Sequence, residues 1–133
     1  MIIVDTNVLV DVASGDPAWA QWSIDALDKA RRTHEALLIN AIIYSEFSVG
    51  FEDIGQCDAA LADLGASLAD MTKEVAFRAG EAFKAYRRRG GSWTSTLPGF
   101  FIGAHASVLG VSILTRDLAR YQTYFPDVAL VTP

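Results

Sequence analysis

Four short apolar runs punctuate the chain at intervals too long for hairpins, and helix-like stretches fill the gaps between them. Ile2-Ile3-Val4 is continuous and β-branched, the pattern of a strand buried on both faces in a parallel sheet. Ala36 to Ile39 and Val111 to Leu114 read as further core strands, and Val128 to Val131 as a final one. Ser67 to Met71 suggests a brief edge strand.

The first gap opens with a helix from about Asn7 to Ala13, closed by Ser14-Gly15-Asp16-Pro17. Asp16 suits an N-cap and Pro17 a first helical position. Trp19, Trp22, Ala26 and Ala30 then recur at helical spacing, which predicts a helix to about Arg32. Asn40 to Val49 reads as a helix ending near Gly50, and Cys57, Leu61 and Leu64 mark a short one stopping at Gly65. Thr72 can cap a helix with Glu74 in its first turn, where negative charge suits the helix dipole. Val75, Ala79, Phe83 and Tyr86 form its apolar stripe, and Arg87-Arg88-Arg89 close it before Gly90-Gly91. Gly90 to Pro98 is the clearest loop. Phe100 to Gly110 is apolar nearly all round, as a helix buried in the middle of the fold should be. Asp117 to Tyr124 predicts a short amphipathic helix.

Alternating strand and helix signals predict an α/β class with a mainly parallel sheet. Ligands in such sheets bind beyond the carboxyl ends of the strands. Asp5 ends the first strand, Asp117 follows the run at 111–114, and Glu46 lies on the helix leading from the second strand. Gathered carboxylates repel one another, so a pocket that holds them needs a cation. An oxygen-ligated divalent metal and phosphate chemistry are the expectation.

Composition narrows this further. The 133 residues, 51% of them hydrophobic, are expected to form one domain over 1–133 with a single core. The net charge of −5 argues against a general nucleic-acid-coating surface. It leaves room for a nucleic-acid enzyme whose acidic pocket is neutralised by its ion. Cys57 is the sole cysteine, which excludes an intramolecular disulfide and a cysteine-rich zinc site; it reads as a small core residue on a helix. The first strand begins without a basic leader, and the apolar stretch Phe100 to Leu114 falls short of the roughly 20 residues needed to span a bilayer. A soluble, cytoplasmic protein without a membrane partner is expected.

Four motifs then stand in register: Val4-Asp5-Thr6-Asn7-Val8-Leu9; Asn40 with Tyr44-Ser45-Glu46; Leu97-Pro98-Gly99-Phe100-Phe101-Ile102-Gly103-Ala104-His105-Ala106; and Leu114-Thr115-Arg116-Asp117. Together they resemble a PIN-domain ribonuclease, and most closely the VapC-type toxins of bacterial toxin–antitoxin pairs. The resemblance spans essentially the whole chain. It implies a three-layer α/β/α fold and hydrolysis of RNA by an endoribonuclease dependent on Mg²⁺ or Mn²⁺. It also implies a homodimer and a cognate antitoxin whose C-terminal segment often places an arginine among the carboxylates. By resemblance, Asp5 and Asp117 would ligate the ion directly or through water, and Glu46 would position the ion or the attacking water. Thr6 or Thr115 would tether a carboxylate or water, while Asn7 and Asn40 would order the backbone nearby. Mg²⁺ prefers hard oxygen ligands and keeps several waters, so a few carboxylates suffice.

One position departs from the pattern. The family carries an aspartate where this chain has Gly99, and the flanking residues match. Glycine supplies no ligand, and the neighbouring Ser92, Ser95 and Thr96 are neutral. Weakened metal binding and a loss of activity of about 100-fold or more are expected when a preorganised charge-stabilising group is removed. A catalytically silent PIN-fold protein that binds its antitoxin is the alternative.

Other residues carry paired readings. Arg87, Arg88 and Arg89 suit a helix C-terminus or a hold on RNA phosphates, and Arg116 is better placed for a phosphate contact beside the pocket. Trp93, an aromatic in a polar loop, could stack a base or pack on a partner. Trp19 and Trp22 read as core or interface residues. His105 reads as a hydrogen-bonded residue of the buried helix and His34 as a surface residue. A haloacid-dehalogenase-type phosphotransferase wants a second acid two residues after the first, where Asn7 stands. A dinucleotide-binding domain wants a glycine-rich turn after the first strand, which is missing.

Overall fold

The computed structural model describes residues 1–33, 36–94 and 97–133. The expectations for His34, Ser95 and Thr96 lie outside the described residues. The strands are β1 (Ile2–Val4), β2 (Leu37–Ile39), β3 (Ala66–Leu68), β4 (Ser112–Leu114) and β5 (Leu130–Val131). The helices are α1 (Thr6–Ser14), α2 (Ala20–Thr33), α3 (Ala41–Ser48), α4 (Ile54–Leu64), α5 (Lys73–Arg88), α6 (Pro98–Leu109) and α7 (Leu118–Gln122). The strands form one sheet in the order β3-β2-β1-β4-β5, with every neighbouring pair parallel. It is the middle layer of a three-layer α/β/α arrangement.

The order has one functional consequence. From β1 the chain steps to β2 and then β3 on one side, and returns through α5 and α6 to β4 on the other side of β1. The direction of winding therefore reverses between β1 and β4, and the crevice beyond their carboxyl ends is where open α/β sheets bind ligands. Asp5 stands at that point: its N–H continues the ladder to the Leu114 carbonyl at 2.9 Å.

The unbroken apolar runs become strands because both sheet faces are covered, and Ile2, Ile3, Val4, Ile113 and Leu114 are all buried. Helix α6 is the most enclosed, with Phe100, Ile102, Ala104, His105 and Ala106 inside the fold, and α5 packs along it. Its Gly103 lets the Phe125 ring, which follows α7, pack directly on the helix backbone, since a Cβ there would lie 2.2 Å from that ring. Cys57 is buried on α4.

Several helix starts differ from the sequence expectation. Helix α2 begins at Ala20 instead of Pro17. The Asp16 carboxylate accepts from the backbone N–H groups of Ala18 and Trp19, both at 2.9 Å, so residues 17–19 form a turn ahead of the helix. Asn40 and Asp117 likewise sit outside their helices as N-caps. The final helix and strand are shorter than expected, at Leu118–Gln122 and Leu130–Val131.

Candidate active site

Asp5 has extended backbone (φ −69°, ψ 152°) and caps α1, its Oδ1 accepting from the Thr6 N–H at 2.7 Å. Its side chain is fully buried, which requires that its lone pairs be satisfied from within. The Thr115 hydroxyl and the Tyr121 phenol both donate to Oδ2 at 2.8 Å, and Asn7 Nδ2 approaches it at 3.4 Å. These donors come from the start of α1, the residue after β4 and α7, so one carboxylate ties the switch point together.

The network reaches outward from there. Thr6 Oγ1 donates to Glu46 Oε1 at 2.8 Å, bringing α3 to the tip of β1. Asn7 Oδ1 accepts from the Arg116 N–H at 3.2 Å, and its amide also donates to Thr115 Oγ1 at 3.3 Å. Thr115 Oγ1 in turn accepts from the Asp117 N–H at 3.0 Å. Asn40 caps α3 by accepting from the Ile43 N–H at 3.0 Å, and its amide meets His105 Nδ1 at 3.2 Å. Both residues are buried, and burial lowers the His105 pKa. A donor at Nδ1 is compatible only with a neutral ring there. Thr6, Asn7, Thr115 and Asn40 thus order the polypeptide around Asp5.

The three acids are not equivalent. Asp5 and Glu46 flank one guanidinium, that of Arg120 on α7: Nη1 lies 3.4 Å from Asp5 Oδ1 and Nη2 lies 3.8 Å from Glu46 Oε2. Asp117 is exposed and uses Oδ1 to cap α7, accepting from the Arg120 N–H at 3.1 Å. Burial opposes the charge of Arg120, but the carboxylates of Asp5, Glu46 and Asp117 favour it, and the guanidinium is held above its usual pKa. For Tyr121 burial and the neighbouring Asp5 act in the same direction and push the phenol far up, so it remains a donor.

Gly99 lies against this arginine. A Cβ at residue 99 would stand 2.7 Å from Arg120 Nε, 3.1 Å from Cγ and 3.4 Å from Cδ. The side chain of Arg120 therefore occupies the volume that any residue other than glycine would need. Beside it opens a cleft of about 380 Å³ lined by Tyr86, Leu97, Pro98, Gly99, Phe100, Arg120 and Tyr124. The rings of Tyr86, Phe100 and Tyr124 meet edge to face at 5.5–6.2 Å and form its wall.

The divalent ion implied by the sequence resemblance does not fit this arrangement. Among the described residues no three Asp, Glu, His or Cys side chains converge closely enough to hold an ion. No buried side-chain nitrogen or oxygen there lacks a hydrogen-bond partner. Both oxygens of Asp5 are engaged, and the positive charge beside Asp5 and Glu46 is a guanidinium.

The basic and aromatic candidates are placed as follows. Arg116 Nε and Nη2 grip the buried Asp11 carboxylate at 2.7 and 2.9 Å, and its guanidinium lies 4.8 Å from the Trp19 ring centroid. That fork is committed to Asp11, which also accepts from Ser23 at 2.7 Å. Arg87 donates to the Trp93 and Gly91 carbonyls at 2.8 and 3.3 Å, tying down the chain after α5. Arg88 is exposed, and Arg89 lies over the Tyr124 ring at 5.6 Å. Trp93 is exposed; Trp19 and Trp22 pack edge to face on one another at 6.3 Å.

Arg120, Tyr121 and Asp11 are the residues that sequence reasoning missed. Arg120 and Tyr121 follow Asp117 by three and four positions, so a helix capped by Asp117 carries them back over the pocket. Asp11 follows Asn7 by four, on the face of α1 that also buries Val8.

Comparison with known proteins agrees with this architecture. The family description "PIN domain" matches residues 2–126. Three solved structures illustrate the likeness. The crystal structure of VapBC2 from Rickettsia felis bound to a DNA fragment from their promoter superposes with a TM-score of 0.76 at 17% identity, covering 100% of this chain and 99% of that one. A toxin–antitoxin complex from Klebsiella pneumoniae gives 0.72 at 22% identity, covering 100% and 98%. FitAcB from Neisseria gonorrhoeae gives 0.68 at 20%, covering 100% and 98%. No curated protein matches. With its switch-point aspartate at the head of α1 and a family match over nearly its whole length, the chain belongs to the PIN-domain family.

Proposed function

We propose that this chain is the toxin-side protein of a VapC-type toxin–antitoxin pair. Its chemistry would be that of a Mg²⁺- or Mn²⁺-dependent endoribonuclease acting on RNA phosphodiesters, impaired in this chain. PIN domains are generally dependent on a divalent metal, and the VapBC2 and Klebsiella pneumoniae neighbours named above are toxin–antitoxin complexes. The observation that carries the reading is the Asp5–Thr6–Glu46 connection at the point where the sheet reverses direction. In this reading that connection is the core of an acidic pocket, with Asp117 at its margin.

The impairment rests on Gly99 and Arg120 together. Gly99 withholds a carboxylate, and Arg120 fills the space that carboxylate would enter. A single Gly99→Asp change would therefore collide with Arg120. The informative restoration is Gly99→Asp with Arg120→Ala. In this reading the antitoxin and a second copy of the chain are the protein partners, and RNA is the substrate.

The test is a cleavage assay on defined single-stranded and structured RNAs in Mg²⁺ and in Mn²⁺, comparing the unmodified chain with the double variant. The expected gain is about 100-fold or more, the usual worth of a preorganised charge-stabilising group. A folded double variant that cleaves no RNA in either metal would refute the nuclease reading. It would favour a catalytically silent PIN protein that binds its antitoxin, the reading that the guanidinium between Asp5 and Glu46 also supports.

A further inference from the structure

We propose that Arg120 is the resident cation of the acidic pocket, seated by the absence of a side chain at Gly99, and that it takes the place of a divalent ion. The pocket has the anionic oxygens that require a positive partner, because Asp5 is fully buried and Glu46 is half-buried beside it. A fully buried carboxylate without a cation would be strongly disfavoured. Arg120 meets that need from within the chain, with one guanidinium nitrogen toward each acid at 3.4 and 3.8 Å.

Three independent features hold it there. Its own N–H is fixed by the Asp117 cap at 3.1 Å, so the α7 backbone presents the side chain to the pocket. Its Cγ, Cδ and Nε pass over Gly99, where a Cβ would stand within 2.7–3.4 Å of all three. Only about a quarter of the side chain is exposed, so the aliphatic stem is packed as well as the charge. A guanidinium is planar, always charged and weakly hydrated, which suits a half-buried position between two carboxylates better than an ammonium would. Metal and Arg120 then compete for the same oxygens. A divalent ion near Asp5 would place two like-signed groups in one small pocket unless the arginine left.

The proposal concerns what the pocket binds and stands whether or not the chain cleaves RNA. It is tested by titrating Mn²⁺ into the full-length chain and following binding by calorimetry and by the paramagnetic broadening of resonances near Asp5. The unmodified chain should show no saturable binding below about millimolar Mn²⁺, the weak end of carboxylate cation sites. Arg120→Ala should bind at least tenfold more tightly, and its thermal midpoint should rise with added Mn²⁺ while that of the unmodified chain stays level. Arg120→Lys, which keeps the charge without the two-pronged geometry, should fall between them. Saturable micromolar Mn²⁺ binding by the unmodified chain would overturn the proposal, whatever the variants do. Equal affinity in the unmodified chain and in folded Arg120→Ala would overturn it too. If Arg120→Ala does not fold in metal-free buffer, recovery of folding with Mn²⁺ supports the proposal, and Arg120→Lys binding no better than the unmodified chain counts against it.

Discussion

Gly99→Ala sets two physical effects of opposite sign against each other, and the structure says which should prevail. Gly99 is the second residue of α6 and has no positive φ. Alanine is therefore conformationally permitted and should stabilise the helix by up to about 0.5–1 kcal/mol. Against that, the new Cβ would lie 2.7 Å from Arg120 Nε and 3.1 Å from Cγ. Relief requires Nε to move and Cγ to give way, which draws the guanidinium off the positions it holds beside Asp5 and Glu46. Removing one partner of a buried ion pair costs about 3–5 kcal/mol. Here the charge separations are 3.4 and 3.8 Å, and about a quarter of the side chain is exposed. Asp5 also keeps the Thr6, Thr115 and Tyr121 donors. A loss of about 1.5–2 kcal/mol is the consistent figure. The net expectation is destabilisation by about 1 kcal/mol, reversing to stabilisation by about 0.5–1 kcal/mol in an Arg120→Ala background. Urea unfolding of the unmodified chain, both single variants and the double variant measures the coupling directly. If Gly99→Ala raises stability equally in both backgrounds, Arg120 does not occupy the space above residue 99 and the packing argument fails.

Two further predictions concern groups that support the pocket. Tyr121→Phe deletes only the hydroxyl that donates to Asp5 Oδ2 at 2.8 Å from a fully buried ring, and urea unfolding should show a loss of about 1.5–3 kcal/mol, the range for a hydrogen bond to a charged group; a loss below about 0.5 kcal/mol would mean that Asp5 is satisfied without it. Burial lowers the His105 pKa from its ordinary 6.5, so below that pH the unfolded chain takes up a proton that the folded chain resists. Stability should be level above about 6.5 and fall as pH drops through the folded pKa, and His105→Gln should flatten that part of the thermal-midpoint profile; an unchanged slope would locate the acid sensitivity elsewhere.

The fold was legible because burial on both faces of the sheet leaves a coarse trace. Ile2-Ile3-Val4 has no polar residue to alternate with, and the run ending at Leu114 has only Ser112; β1 is buried throughout and β4 at Ile113 and Leu114, both within a wholly parallel sheet. Thr72 and the residue after Leu64 announced helix ends through chemistry that few alternatives satisfy: a hydroxyl accepting from the Val75 N–H, and a glycine at φ +76°. Helix starts were misjudged where an acid serves a turn instead. Asp16 caps the 17–19 turn, and nothing in Pro17-Ala18-Trp19 tells that turn from the first turn of α2.

The candidate site was legible in a different sense. Residues at strand ends are placed by topology, so the position of Asp5 at the carboxyl edge of the sheet followed from the alternation of strands and helices, whereas its place at the switch point needed the strand order within the sheet. What sequence spacing could not convey is which partner a charged side chain would choose. Arg116 adjoins the pocket in sequence, yet it pairs with Asp11, a residue hidden on the inner face of α1. Arg120, one helical turn beyond the Asp117 cap, goes to Asp5 and Glu46 instead. The choice is set by reach and by empty volume, and Gly99 provides the volume. In the function proposed above, the residue that withholds a carboxylate from the pocket also leaves the space taken by the arginine beside Asp5 and Glu46. On that proposal a missing acid and an internal cation have one structural cause, and an acid placed at residue 99 would meet Arg120 before it met an ion.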